Sequence, residues 1–289
     1  MRLLRRNRSS IKGDTAVFYW FLTPLALFMA LPIIYLISTA FKPLDELFYF
    51  PPRFLVRNPT FDNFIDLLLA TSTSFVPFSR YIYNSLIVTA VSVVAAISIS
   101  SLGAYPLAKD RTLPGRDFMF SLIIAALMFA GEVTAIPRYL VILKTGLIDT
   151  YGALIIPGLA NAYFLFLMRQ FMEQVPDELI DAARLDGASE LRVFWDIVMP
   201  QCRNAWATIA IFSFIATWND GGSSILYTRS EAMRTLPAAI ATIGGGPGNI
   251  ARAGAAAAAG FLQTTPVIII YLILQRKVIS TMAHSGLKG

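Results

Sequence analysis

The sequence predicts an all-α polytopic membrane protein: six transmembrane helices with a polar helix-turn-helix elbow between the fourth and the fifth. Three observations predict it. Of 289 residues, 56% are hydrophobic and only 15% charged, and the mean hydropathy of +0.60 exceeds that of a soluble domain. The apolar residues gather in six runs of about 20, the length that crosses a bilayer core. Between the fourth and fifth runs lies a polar segment, 176–200, which reads as two short amphipathic helices joined at a glycine.

The six spans run near 17–41, 82–106, 118–143, 151–172, 205–227 and 255–274. The first has a basic start and a cleavage-like Ser38-Thr39-Ala40. Its apolar run is nevertheless longer than the 7–15 residues of a signal h-region, which predicts a retained anchor. The fifth is interrupted by Gly221-Gly222-Ser223-Ser224, a patch that breaks the apolar run before its far end. The sixth opens on a nearly unbroken run of small residues from Ala251 to Gly260, which lets membrane helices approach closely; a flexible linker is the alternative. After Asn58-Pro59-Thr60, the residues Phe61, Phe64, Ile65 and Leu68 recur at helical spacing with Asp62, Asn63 and Asp66 opposite. That pattern predicts a short helix, lying either in the membrane interface or against a partner.

Within the elbow, Pro176 suits a helix start, where its missing N–H is no loss. Gly187 can end that helix at a backbone angle closed to other residues. Ser189 can cap a second helix with Leu191, Phe194, Trp195 and Val198 on one face. Pro200 is expected to stop it.

Charge sets the orientation. Arg2, Arg5, Arg6, Arg8 and Lys12 precede the first span, which places the N-terminus in the cytoplasm. Six spans return the C-terminus to the same side, and the majority of the 24 Lys and Arg then fall on inner segments. The elbow lands in the cytoplasm on this topology. The net charge of +6 therefore reads as topology plus attraction to the inner leaflet, with no soluble domain for nucleic acid. The division is a basic cytoplasmic N-terminus 1–16, a six-helix membrane domain 17–274 with its elbow at 173–203, and a cytoplasmic tail 275–289, all as one folding domain.

Residue counts remove several chemistries. Cys202 and His284 are each alone, so no intrachain disulfide, thiolate cluster or His pair can form. No phosphate-cradling G-x-x-x-x-G-K-[ST] occurs. Gly244-Gly245-Gly246-Pro247-Gly248 lacks the lysine that such a loop needs and reads as an outer flexible loop. Neither a metal nor a cofactor is expected on the chain.

Polar groups inside spans usually face an interior. Glu132 lies about 21 Å into the third span at 1.5 Å per residue, flanked by Gly131 and Pro137, which predict a kink. Asn161 and Tyr163 lie near the middle of the fourth span, and Trp218, Asn219 and Asp220 close the fifth. Sugars stack their apolar ring faces on aromatic side chains and offer hydroxyls to polar ones. Glu132, Asn161, Tyr163, Trp218 and Asn219 are thus candidates for a solute cavity, with helix packing as the alternative for each.

The elbow resembles the "EAA" signature of bacterial ABC-importer permeases. Asp181 replaces the leading Glu, while Ala182, Ala183, Asp186, Gly187, Ala188, Phe194 and Pro200 all match the spacing. Asn84-Ser85-Leu86, Ala104-Tyr105-Pro106-Leu107-Ala108-Lys109, Trp218-Asn219-Asp220 and the closing Gly286-Leu287-Lys288-Gly289 resemble the carbohydrate branch, specifically its maltose-type second permease. The resemblance implies a type I importer permease in the bacterial inner membrane that takes up a sugar or oligosaccharide by alternating access. It implies as partners a second homologous permease, two ATPase subunits that hold ATP and magnesium, and an extracytoplasmic solute-binding lipoprotein or periplasmic protein. On this resemblance the chain itself is not catalytic. Asp181, Ala182, Ala183, Asp186, Gly187, Ala188, Glu190, Phe194 and Pro200 would couple to the ATPase, the alanines by close approach, Phe194 as the apolar anchor, Asp181 and Glu190 through charge. A permease for a non-sugar solute and a membrane-embedded lipid-modifying enzyme are the rival readings.

Overall fold

A computed structural model describes residues 8–70, 76–129, 131–244 and 253–286, in which all regular secondary structure is helical. The basic residues at positions 2–6, the glycine-rich loop at 245–248, Arg252 and the tail from 287 lie outside the described residues, as do the side chains of Arg8, Lys12, Glu132 and His284. The chain groups into two compact units, Met1–Ala70 with Gly246–Leu262 and Thr71–Gly245 with Gln263–Gly289.

In the first unit a 33-residue helix, α1 (Arg8–Ala40), is followed by α2 (Leu44–Leu47) and α3 (Asp62–Ala70). The last carbonyls of a helix lack intrahelical donors. Here they are met by Asn63, whose amide donates to the carbonyls of Thr39 (3.4 Å), Ala40 (2.9 Å) and Lys42 (2.7 Å). That duty turns α3 round relative to the expected face. Asn63 and Leu67 are buried, while Phe61, Ile65 and Leu68 are exposed. A capping amide outweighs the apolar stripe because an unmet buried carbonyl costs about 1–3 kcal/mol. The buried Glu46 does similar work, accepting from the amides of Arg57 and Asn58 at 3.0 Å each.

The second unit is built on α4 (Phe78–Lys109), a continuous 32-residue helix. Ser85, Thr89, Ser92, Ala96, Ser100 and Ala104 are all buried along it, a row of small side chains that admits neighbouring helices closely. The chain continues with α5 (Arg116–Ala126), α6 (Gly131–Lys144), α7 (Tyr151–Leu159), α8 (Ala162–Glu173) and α9 (Asp177–Leu185). The short α10 (Glu190–Arg192) and α11 (Met199–Gln201) flank a π-helical turn at Val193–Val198. Then follow α12 (Arg203–Trp218), α13 (Gly221–Tyr227), a 3₁₀ turn at Glu231–Met233 and α14 (Leu236–Gly244); the last helix, α15 (Ala253–Gly286), begins in the first unit and belongs to the second from Gln263 on. Helices α7, α8 and α12 pack on α4.

Three of the expected spans are broken rather than continuous. The third is split between α5 and α6, beside Gly131. The fourth is split at Ala160–Asn161 with a 47° bend, where Asn161 leaves helical geometry to cap α8. The fifth ends at Trp218, and Asp220 caps a new helix that starts inside the glycine patch. Among the described residues, Phe18–Ala40, Phe78–Lys109 and Ala253–Gln275 are long and apolar enough to cross a membrane, with α7 and α8 together as a fourth candidate.

Gly254 tests the α3 knot. A Cβ there would collide with Oδ1 of Asn63 and lie 2.6 Å from its Cγ and 2.9 Å from Cδ1 of Leu47. Three hydrogen bonds hold Asn63 in place. We expect Gly254→Ala to destabilise by about 1–3 kcal/mol, read as a lower melting temperature in detergent. Gly158→Ala, in a helix and with nothing within 4 Å of its Cβ, should be neutral or mildly stabilising.

Candidate functional site: an elbow locked from within

Helix α9 starts one residue after Pro176, which supplies the extended N-cap conformation (φ −60°, ψ 132°). It closes in a Schellman motif. The amide of Gly187 donates to the carbonyl of Arg184 and that of Ala188 to the carbonyl of Ala183, both at 3.0 Å, with Gly187 at φ +81°. This motif brings its flanking apolar residues together, and Ala183 and Ala188 both pack against the core. Asp186 is the C-cap residue. Ser189 then caps the second helix through Arg192 N (3.4 Å).

The second helix departs from the expected face. Its π-helical turn is closed by i→i+5 hydrogen bonds and so takes more residues per turn than the 3.6 of an α-helix. Val193 and Val198 therefore share a side, as do Phe194 and Met199, and all four are buried. Leu191 (69% exposed) and Trp195 (48%) turn outward. Pro200 accounts for the wide turn. In an α-helix its ring would strike the carbonyl of Asp196, whereas here Met199 N donates back to Phe194 O. Pro200 does not stop the helix; the break falls at Cys202, after which α12 begins.

Phe194 is therefore an inward anchor, not an exposed one. Its ring meets Tyr105 at 5.4 Å and Trp195 at 5.0 Å, edge on in both cases. With Val193, Val198 and Ile180 it joins Met168 and Met172 of α8 and Ala104 of α4 in one core. The outward apolar residues are Leu185, 90% exposed, together with Leu191, Trp195 and Leu179. Ala182 is exposed and Ala183 half-buried.

The elbow's charges are tied within the chain. Arg184 makes a bidentate pair with Glu190 (2.7 and 3.1 Å) and reaches Asp181 at 3.3 Å. Tyr105 donates its hydroxyl to Glu190 Oε2 at 2.9 Å. Asp177 pairs with Lys109 (2.6 Å) and Arg111 (3.0 Å), and Lys109 also donates to the carbonyl of Val175. Behind these pairs the buried Arg169 donates to the carbonyl of Leu107 at 3.2 Å, pairs with Glu173 at 2.7 Å and stacks 3.6 Å over the ring of Phe120. A charged cleft of about 910 Å³ opens between the end of α4 and the elbow, lined by Tyr105, Lys109, Asp177, Arg184 and Glu190 among others.

The solute-cavity candidates scatter. Trp218 is buried, stacks on Phe214 at 5.6 Å and donates its indole N–H to the carbonyl of Gln263 at 2.8 Å. Asn219 is exposed beside it, accepting from Gln263 Nε2 at 3.2 Å. Asn161 caps α8 through Tyr163 N (3.0 Å) and Phe164 N (3.2 Å) and borders an apolar cavity of about 310 Å³ between α4, α5 and α8. Tyr163 is 43% exposed, edge on to Phe212 at 6.1 Å. Glu132 is the second residue of α6, with its side chain outside the described residues.

Broken and continuous apolar helices with a polar elbow packed against them give the chain the architecture of a polytopic membrane protein. The chain belongs to the family described as binding-protein-dependent transport system inner membrane component, matched over residues 10–282. It is 32% identical over 276 residues to protein LplC of Bacillus subtilis (strain 168), covering 90% of this chain and 89% of that one. To the arabinooligosaccharides transport system permease protein AraQ of Halalkalibacterium halodurans it is 30% identical over 291 residues, covering 96% and 99%. The sn-glycerol-3-phosphate transport system permease protein UgpE of Yersinia enterocolitica is 36% identical over 200 residues, covering 69% and 71%. A chain in the crystal structure of a bacterial ABC transporter involved in the import of the acidic polysaccharide alginate shares the fold, with TM-score 0.81 at 24% identity over 96% of this chain and 99% of that one.

Two measurements check the lock. Burial pushes the Cys202 thiol up to about 11, so the folded protein should resist maleimide at pH 7–8, with labelling only on denaturation. The hydrogen bond from Arg184 holds the Glu190 carboxyl below its ordinary value, as Lys109 does for Asp177. A depressed carboxylate stabilises the fold fully above its unfolded value of about 4 and loses that contribution as pH falls through the folded value. Thermal stability should therefore hold from pH 8 to 5 as far as these pairs are concerned and fall below about pH 4, with a smaller fall in Glu190→Gln.

Proposed function

We propose that the chain is a sugar or oligosaccharide permease of an ATP-driven ABC importer, spanning the bacterial inner membrane six times with both termini and the elbow in the cytoplasm. The membrane domain is 17–274, between a basic N-terminus 1–16 and a tail 275–289, and the elbow is 173–203. Three broken segments, α5 with α6, α7 with α8 and α12 with α13, count as one span each on this reading. A saccharide is supported by the arabinooligosaccharide permease among the relatives and by the alginate importer that shares the fold. The chain hydrolyses nothing itself. ATP and magnesium belong to two ATPase subunits, and a second permease and an external binding protein complete the complex. The alginate importer is known in complex with a pentasaccharide-bound periplasmic protein, which supports the last of these.

The observation that carries the coupling role is Leu185, 90% exposed at the apex of an elbow whose other face is sealed into the bundle. A leucine held in water by a Schellman turn serves a partner's pocket. Leu191 and Trp195 extend the same surface, and Ala182 leaves room for close approach. The acids Asp181 and Glu190 shape the elbow through Arg184, leaving shape and apolar burial to dominate the docking. Of the solute-cavity candidates, Asn161, Tyr163 and Asn219 keep exposed or half-buried positions that a hydroxyl-rich ligand can reach. Trp218 acts by holding α12 against α15.

The test uses the assembled complex in its membrane. A cysteine at Ala182 should form disulfides with cysteines around a cleft of the ATPase, with transport falling on oxidation and returning on reduction; Cys202 can stay. Leu185→Asp should weaken copurification of the ATPase about tenfold to a hundredfold, as loss of a buried leucine implies. An intact complex that gives no crosslink at any cleft position would refute the coupling role.

A further inference from the structure

Among the helices lying wholly within the second unit, the long apolar segments are broken except α4. The segments α5–α6, α7–α8 and α12–α13 each have an interruption that can absorb a displacement. Helix α4 runs unbroken for 32 residues. One end is fastened to the elbow by Tyr105 and Lys109, as described above. The other end is fastened just as closely to the turn at 230–236. Asn84, fully buried, donates both amide hydrogens, to the carbonyls of Ala232 and Arg234, at 2.8 Å each. Its oxygen accepts from the Tyr151 hydroxyl at 2.8 Å. Ser85 accepts from the amide of Leu236 at 2.8 Å, and Tyr81 donates to Glu231 at 3.0 Å. About 32 Å of helix separates Asn84 from Tyr105 at 1.5 Å per residue.

We propose that Asn84 is a positioning residue of the transport cycle: it makes the 230–236 turn, α4 and the elbow a single strut, so that displacement of the elbow by the ATPase is delivered to the turn at the opposite end. Buried amide networks of this kind hold only when every member is satisfied, and Asn84 gives the turn's backbone its two shortest side-chain donors, beside the 3.3 Å bond from Arg80 Nε to the carbonyl of Ala232. Sequence, geometry and function meet here in one side chain. Removing its amide leaves the Arg234 carbonyl without that donor and the Ala232 carbonyl with only the longer bond from Arg80 Nε (3.3 Å), which loosens the turn from the helix while the elbow clasp is untouched. The inference rests on the reading of the elbow as the ATPase contact.

The experiment uses the complete complex with its ATPase in lipid nanodiscs, carrying an environment-sensitive fluorophore on a cysteine at Arg229, beside the turn, or separately at Ala182 on the elbow. The probe is magnesium-ATP trapped with vanadate. In the otherwise unaltered chain both labels should shift on trapping. In Asn84→Leu, of similar volume but without hydrogen bonds, the shift at 182 should persist and that at 229 fall at least about fivefold. A full shift at 229 in Asn84→Leu would overturn the strut, as would a wild-type complex in which 182 responds and 229 does not. Should Asn84→Leu fail to assemble, Ser85→Ala decides: a reduced response at 229 supports the strut, and a full one overturns it. An intact wild-type complex silent at 182 would instead sink the coupling reading beneath it.

Discussion

The contact between Phe194 and Tyr105 fixes everything at the elbow end of the second unit. An elbow between two spans could hang from the bundle on flexible chain. This one is driven into the bundle by an aromatic anchor with Val193, Val198 and Met199 around it. Burial of those side chains supplies the driving force, at about 1.5–3 kcal/mol each. The ion pairs of Glu190, Arg184, Asp177 and Lys109 then set the angle. Pairs of this sort, each with at least one partner open to water, contribute little to stability, but between packed elements they define geometry. Leu185 and Leu191 face outward because the other side of each helix is already occupied.

A single compensation links the two halves of the elbow. Pro200 forbids an ordinary α-helical turn before it, and the π-helical turn that results aligns Val193 with Val198 and Phe194 with Met199. Without the wide turn, Phe194 and Trp195 would share the buried side with Leu191. One ring constraint at position 200 therefore decides which side chains of the preceding helix meet the core.

Much of this was legible in the sequence. The Pro176 start, the Gly187 turn and the Ser189 cap follow from local chemistry, and the structure has all three. So do the existence of the apolar segments and the interruption near Gly221. The face of the second helix was not legible, because its apolar spacing follows a 3.6-residue period while the proline at 200 imposes a wider turn. Asn63 read as the solvent side of α3, although its amide caps the end of α1 more than twenty residues away. The division of labour between Phe194 and Leu185 depends on tertiary packing that no spacing reveals. Arg184 could have been found, since it lies three residues after Asp181; its stronger partner Glu190 sits beyond the glycine and becomes adjacent only through the turn.

The wide turn also bears on how relatives of this chain are compared and recombined. It holds one residue more than an α-helix needs to span the same height, so the interval from Ser189 to Cys202 is a measured length, not a tolerant linker. Removing a single residue between Leu191 and Phe194 would swing Leu191 around the helix axis by roughly 100°, the angle of one residue at 3.6 per turn, while Phe194 stayed put. A chimera that exchanges elbows should therefore take 176–202 as one block, cut at the two ends where the chain enters and leaves the bundle.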